Sequence, residues 1–296
     1  MHQYAHRWHL GMPHTISGAV GEIALLAHAQ DLHWKEMGSL TGCPASRQVS
    51  ATGEDVYASI FYVDLEAPPD RGLAAFGPDD TLEIEGTFGR YGPSMLDGTH
   101  RLRALRDGPD GPAIRLRLSF VLVAMGAGPD DLRISVPANA AIERIPGLVE
   151  EPDSYRVARA AQAAGGLDAA PAGARALWDK PRTRTYAINP DRDLNGVGLL
   201  YFANYVAFLD AAERDTLEAE AGIPAARLDG RVTVQRRIAY YGNARSSDRL
   251  QVTVDCHAYD GPPAERLLVR HAVRRVSDGR LVALATATRL LRPPSS

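Results

Sequence analysis

The segment Asp193–Asp210, reading Asp-Leu-Asn-Gly-Val-Gly-Leu-Leu-Tyr-Phe-Ala-Asn-Tyr-Val-Ala-Phe-Leu-Asp, joins a polar, glycine-bearing loop to a helical run that is apolar on nearly every side. Tyr201, Phe202, Tyr205, Val206, Phe208 and Leu209 leave no broad wet face, so this helix is expected to be buried. The first N–H groups of a buried helix lack intrahelical acceptors and can be aimed at a developing oxyanion. Asp193, Asn195 and Asn204 are therefore candidate substrate contacts. The rival role for Asp193 and Asn195 is turn chemistry, because both side chains readily bond nearby backbone amides.

The first half of the chain holds further chemistry-bearing residues. His14 precedes another apolar helix by four residues and titrates near neutrality in its unperturbed state, which suits proton transfer or capping. Glu22 falls inside that helix, where a carboxylate must be paired or protonated; it is a candidate acid or the partner of an arginine on the facing sheet. Ser94 and Thr99 are expected in a loop lining a pocket of this half. His2, His6, His9 and His14 form a cluster, but His6, His9 and His14 lack the i,i+4 spacing of a helical metal pair and no cysteine or acid motif accompanies them, so no metal site is expected. The chain has no Walker-type loop, dinucleotide fingerprint or Gly-x-Ser-x-Gly elbow.

The elements that must position these residues divide the 296-residue chain into two units, since single cores tend to split near that length. Composition is that of a globular protein, 45% hydrophobic and 23% charged with a net charge of −3, which argues against nucleic acid as a partner. Two cysteines, Cys43 and Cys256, make no disulfide framework, and neither a secretory leader nor an 18-residue apolar span is legible, so a cytoplasmic location is expected.

In the second half, a short strand at 186–188, the loop and buried helix, and strands over 231–240, 250–256, 267–276 and 280–291 form an antiparallel meander. Asp278-Gly279 is expected to supply the positive φ angles of a hairpin turn. The first half reads alike: a strand at 4–10, a loop at 11–14, a helix at 18–34, then strands at 56–65, 81–88, 100–106 and 114–123. On the first of these, Val56, Ala58, Ile60, Tyr62 and Asp64 are expected to share one face. Pro- and Gly-rich composition over 151–176, with a short helix near 155–164, marks a linker between domains at 1–150 and 177–296. A helix buried against one curled antiparallel sheet is the α+β hot-dog pattern, here in two copies.

The Asp193–Asp210 segment resembles the loop and helix of hot-dog acyl-CoA thioesterases. Gly11-Met12-Pro13-His14, Glu22, His33-Trp34, the strand Val56–Tyr62 and Asn189-Pro190…Asn195-Gly-Val-Gly-Leu-Leu-Tyr-Phe resemble, more narrowly, the double hot-dog acyltransferase/decarboxylases of polyketide biosynthesis, of the leinamycin-pathway type. That resemblance implies decarboxylation of methylmalonyl-CoA and transfer of the propionyl group to an acyl carrier protein, without metal or redox cofactor. It places Tyr62 as the catalytic tyrosine, donating its proton to the enolate oxygen or accepting the acyl group, with His14 beside it and Met12 near the substrate. The thioesterase likeness makes Asp193 a base or nucleophile and keeps hydrolysis as the alternative. A non-catalytic acyl-binding subunit is a third reading. Arg236, Arg237, Arg245 and Arg249 are candidates for the phosphates of CoA. A homodimer is possible but unforced, because two tandem units already supply the usual pair.

Overall fold

Alternating apolar residues and well-placed glycines build one continuous antiparallel sheet around two helices. The computed structural model describes residues 1–126, 132–260 and 265–291. Its first unit comprises β1 (His2–His9), α1 (Glu22–Thr41), β2 (Val56–Glu66), β3 (Thr81–Tyr91), β4 (Met95–Ala104) and β5 (Ala113–Met125). After α2 (Asp153–Ala164), the second unit comprises β6 (Arg182–Ala187), α3 (Tyr205–Ala221), β7 (Arg231–Tyr240), β8 (Arg249–Tyr259), β9 (Arg266–Arg275) and β10 (Leu281–Leu291). The strands lie in the order β1-β3-β4-β5-β2-β7-β10-β9-β8-β6. Read outward from the β2–β7 seam, the two halves have the same order, so the fold is a double hot-dog.

Each central helix is fixed by burial. Leu25, Leu26, Ala29, Leu32 and Met37 of α1, and Val206, Phe208, Leu209, Ala212 and Leu217 of α3, join a single core with the sheet. Burying one leucine of this kind contributes about 2 kcal/mol. Both helices stop at a left-handed glycine, Gly42 at φ 69° and Gly222 at φ 63°, where a Cβ would be strained. The first helix begins later than its apolar run suggests. Ser17 and Gly18 have positive φ and turn the chain between two short strands, Thr15–Ile16 and Ala19–Val20, so Gly18 lies outside it.

Three further expectations are corrected. Residues 95–99 belong to strand β4, with Thr99 opposite Thr87 and their hydroxyls 2.7 Å apart, so Thr99 is not in a loop. In the last hairpin only Gly279 has positive φ; the Asp278 carboxylate instead accepts from the backbone N–H of Arg280 at 3.0 Å. On β2 the pairing with β5 passes from Ile60–Phe120 directly to Tyr62–Ser119, leaving Phe61 as the extra residue of a bulge. The bulge reverses the alternation. Val56, Ile60, Val63 and Leu65 face the core, while Tyr62 packs on the opposite face with Ala158 and Ala239.

That outer face is covered by α2. Tyr241 Oη donates to the Ala158 carbonyl at 2.7 Å, and Ser119 on β5 reaches Ser154 at 2.8 Å. Phe61 meets Tyr155 edge-on, with ring centres 6.3 Å apart. The helix of the Pro- and Gly-rich stretch is thus docked across the seam.

Candidate active site

Strands β2 and β7 pair from Glu66–Gln235 to Tyr62–Ala239 and then part. Two cavities flank the opening. One, of about 590 Å³, lies between α1 and the loop leading into α3 and is lined by Gln30, Asp31, Tyr57, Asn195, Tyr201, Phe202 and Tyr205 among others. The other, of about 390 Å³, lies beneath α2 and includes Ser94, Tyr155, Arg159 and Tyr241. Ser59, Ile60, Tyr240, Gly242 and Asn243 line both, so the two cavities adjoin where the seam opens and are taken together as one cleft.

The loop before α3 is locked by its own polar side chains. Asp193, 1% exposed, accepts from Asn189 N at 2.8 Å and from Arg192 Nε at 2.6 Å. Asn195 Oδ1 accepts from the amides of Val197 and Leu199 at 3.1 and 3.0 Å, and Asn204 Nδ2 donates to the Arg192 carbonyl at 3.0 Å. These are turn bonds. Of the three residues, Asn195 lines the cleft, whereas Asp193 and Asn204 hold the loop from behind it. The helical turn Phe202–Asn204 opens the helix, and its first amides have no acceptor within it.

Phenols are prominent in the inner cavity, where Tyr57, Tyr201, Tyr205 and Tyr240 all contribute to the lining. Tyr201 donates to Gln30 Oε1 at 2.6 Å, joining the second unit's loop to the first unit's helix. With Oε1 engaged, the Gln30 Nε2 group is left as a donor. Tyr240 donates to the Phe202 carbonyl at 2.9 Å, and the Tyr205 ring lies edge-on to it at 5.2 Å. Burial, reinforced by Asp31, pushes the Tyr201 phenol up to about 12, and burial raises Tyr205 further. All therefore remain protonated near neutrality; the protons of Tyr201 and Tyr240 are committed to Gln30 and Phe202, which leaves Gln30 Nε2 and Tyr205 as donors toward the cleft.

The other expected site residues lie elsewhere. Tyr62 is 3% exposed beneath α2 and lines neither cavity; the bulge at Phe61 turns it to the outer face. Burial, with Asp64 beside it, raises its pKa. His14 Nδ1 accepts from Gly11 N at 3.0 Å, capping the turn Met12–His14, and its ring lies 5.2 Å from that of Trp8. Met12 is 76% exposed on the surface of that turn. Thr99 lies on the outer face of β4, away from the cleft. Ser94 lines the cavity beneath α2. Gln30, Tyr57, Tyr201, Tyr205 and Tyr240 were not expected as site residues, and the available signal was a lone glutamine in an apolar helix.

At the opposite end of the seam the related position is a cavity of about 530 Å³ bordered by a charged cluster that includes Glu22, Asp210, Arg231 and Arg289. Gly72, at φ 58°, lies so near β7 that an added Cβ would be 2.4 Å from the Thr233 carbonyl oxygen. Behind it, Arg236, with no exposed surface, donates to Glu22 Oε1 at 2.8 Å and also pairs with Asp210. Arg289 binds Asp210 and Glu213, and Arg231 Nε reaches Glu213 at 2.9 Å. Burial works against ionisation of Asp210, but Arg289 and Arg236 override it and hold the carboxyl well below its usual range. Glu22 is thus paired with an arginine of the facing sheet. Arg236 is spent in this cluster, and Arg237 is spent on Asp64 and Asp168 at 3.2 and 2.9 Å, so neither is placed as a CoA-phosphate ligand.

Comparison with protein-family models and with curated proteins gives no match. Solved structures match over the whole chain. A protein assigned as an oleoyl thioesterase from Lactobacillus plantarum superposes with a TM-score of 0.69 at 13% identity, covering 99% of this chain and 98% of that one. An acyl-ACP thioesterase from Bacteroides thetaiotaomicron gives 0.58 at 10% identity over 97% of each chain. The 12:0-ACP thioesterase from Umbellularia californica gives 0.58 at 12% identity, covering 98% of this chain and 94% of that one. At these identities the likeness is one of fold, and the chain has the hot-dog architecture of those thioesterases, repeated in tandem.

Proposed function

We propose that the chain is an enzyme acting on acyl thioesters, of CoA or of an acyl carrier protein, at this cleft, and that hydrolysis is its reaction. The supporting observation is the donor set formed by Gln30 Nε2, which Tyr201 orients through Oε1, Tyr205 and the amides opening the turn Phe202–Asn204. A thioester carbonyl placed there accepts hydrogen bonds that strengthen as its oxygen gains charge. Water adds to the carbonyl carbon, the C–S bond breaks, and the departing sulfur takes a proton. The full-length likeness to three proteins named as thioesterases supports hydrolysis over transfer.

One observation favours the second reading, decarboxylation of a methylmalonyl-type thioester with transfer of propionyl to a carrier protein. Asp193 is spent on Asn189 and Arg192, and Asp31 is paired with Lys35 at 2.7 Å, whereas the cleft is rich in neutral donors. Such donors suit an enolate and need no general base. Incubating the protein with a panel of acyl-CoAs including methylmalonyl-CoA, with and without a phosphopantetheinylated carrier protein, separates the readings by mass. Free acid with CoA supports hydrolysis, propionyl carrier supports transfer, and unchanged substrates throughout leave a non-catalytic acyl-binding subunit. Gln30→Ala should lower kcat by roughly 100-fold or more, the usual cost of one oxyanion donor.

A further inference from the structure

The hydrolytic reading says where the thioester reacts; the cleft's outer half says what holds the rest of the substrate. Because Ser59, Ile60, Tyr240, Gly242 and Asn243 wall both cavities, the opening between β2 and β7 lies between the donor set on the helix side and the outer face beneath α2. The two ends differ in chemistry. The inner end offers phenols, a carboxamide and apolar side chains, suited to a carbonyl and its acyl chain. The outer end is bordered by Arg159 of α2 and Arg280, with Tyr155 and Tyr241 beside them. Both arginines are exposed in a chain whose net charge is −3, and Arg159 lies 5.6 Å over the Tyr155 ring. The neighbouring Arg156 is directed instead to Asp153.

α2 is a suitable wall for a ligand because it is held at several points. Tyr241 bonds its backbone at Ala158, Ser154 bonds Ser119, and Phe61 and Tyr62 pack beneath it. The bulge that removes Tyr62 from the inner face thus creates the seat for this helix, next to the opening.

We infer that a phosphopantetheine arm threads the gap between β2 and β7, its thioester on the α3 side and its phosphate at the outer mouth on Arg159 and Arg280. This rests on the acyl-thioester reading above. It assigns to the linker helix recognition of the part of the substrate common to CoA and carrier proteins. Arginine suits a phosphate through paired, charge-assisted hydrogen bonds, each arginine being worth roughly tenfold in affinity.

The test compares binding of CoA, dephospho-CoA, 4′-phosphopantetheine and pantetheine to the full chain and to Arg159→Ala, Arg280→Ala and the double variant by calorimetry. Turnover of acyl-CoA and acyl-pantetheine is followed in parallel. The double variant should bind CoA and 4′-phosphopantetheine at least tenfold more weakly. Its preference for acyl-CoA over acyl-pantetheine, measured as the KM ratio, should fall by a similar factor, with kcat for acyl-CoA little affected. A loss confined to CoA, with 4′-phosphopantetheine binding retained, would move the contact to the nucleotide's 3′-phosphate and overturn the assignment to the arm. CoA binding within twofold of the unsubstituted chain overturns the inference outright, even if acyl thioesters are turned over. Loss of phosphate-dependent binding in a protein that turns over no thioester supports the site and sinks the hydrolytic reading alone.

Discussion

Arg236→Met should destabilise the protein by about 3–5 kcal/mol, the usual cost of removing one partner of a buried ion pair. The size follows from what remains. Glu22, 7% exposed, loses its guanidinium and keeps only the Thr233 hydroxyl at 3.1 Å, whereas Asp210 still has Arg289. Methionine approximates the aliphatic stem, so little of the effect comes from a cavity. At about 2–4 °C per kcal/mol, Tm falls by on the order of 10 °C. Adding Glu22→Gln removes the stranded charge and should recover most of the loss, giving a coupling energy of at least about 2 kcal/mol in the double-mutant cycle.

The pH dependence gives an independent check. In the unsubstituted chain the arginines hold Asp210 and Glu213 below their ordinary pKa values, so their contribution is present above the unfolded carboxylate pKa, near 4, and is lost as pH falls through the folded values. Arg236→Met removes one of the cations that lower Asp210, so the variant has less of this contribution to lose and acidification from pH 7 to 4 should narrow the gap between the proteins. Urea unfolding at 25 °C, followed by far-UV circular dichroism at both pH values, measures this. A loss below about 1 kcal/mol at pH 7, or a gap that widens in acid, would refute the view of this cluster as a paired, desolvated weld between the units.

Tyr62→Phe should leave turnover within about twofold and stability within about 1 kcal/mol, because the side chain packs beneath α2 without lining the cleft; a hundredfold loss of kcat would return Tyr62 to the chemistry. Gly98→Ala should cost about 1–3 kcal/mol by thermal melting. The new methyl would sit 2.1 Å from His33 Nε2, and that ring is held between Phe88 and His100 at centroid distances of 5.3 and 4.4 Å. An unchanged Tm would show that the histidine has room to withdraw.

The second unit was the more legible because its physics is local. In β8, Leu250, Val252, Val254 and Cys256 alternate with polar residues and are fully buried, so period two and one packed face coincide. In β2 they do not. The bulge at Phe61 is dictated by tertiary packing, with α2 and Ser119 on one side and the core on the other, and no glycine or proline in Val56–Tyr62 announces it. Tyr62 could therefore be recognised as a strand residue but not assigned to a face. The loop before α3 was legible as a structure and much less so as a site. Asp and Asn are common in loops because they satisfy backbone groups; here Asp193 and Asn195 accept from backbone amides and Asn204 donates to a backbone carbonyl. Gln30 gave little local sign of its role, since its partner, Tyr201, is 171 residues away.

The repeat itself indicates how one scaffold came to hold two different polar interiors. Gln30 and Glu213 are each the ninth residue of their helix, α1 and α3; Gln30 bonds across to Tyr201 of the second unit, whereas Glu213 binds Arg231 and Arg289 of its own. Where the position holds glutamine, the neutral side chain can accept from Tyr201 and keep a donor in reserve, so the strands can part around a cleft without stranding a buried charge. Where it holds glutamate, the carboxylate requires cations, and Arg231 and Arg289 supply them. Those arginines bring Asp210 into the same network, and the close approach of Gly72 to Thr233 holds the strands together there, so the cavity at this end is walled by ion pairs. A charge at the ninth helical position therefore sets an end of the seam toward stability, and its absence frees the other end for chemistry. On this reasoning Gln30→Glu would add an unpaired acid to the cleft, and the damage should fall on the first steps of substrate binding rather than on the fold.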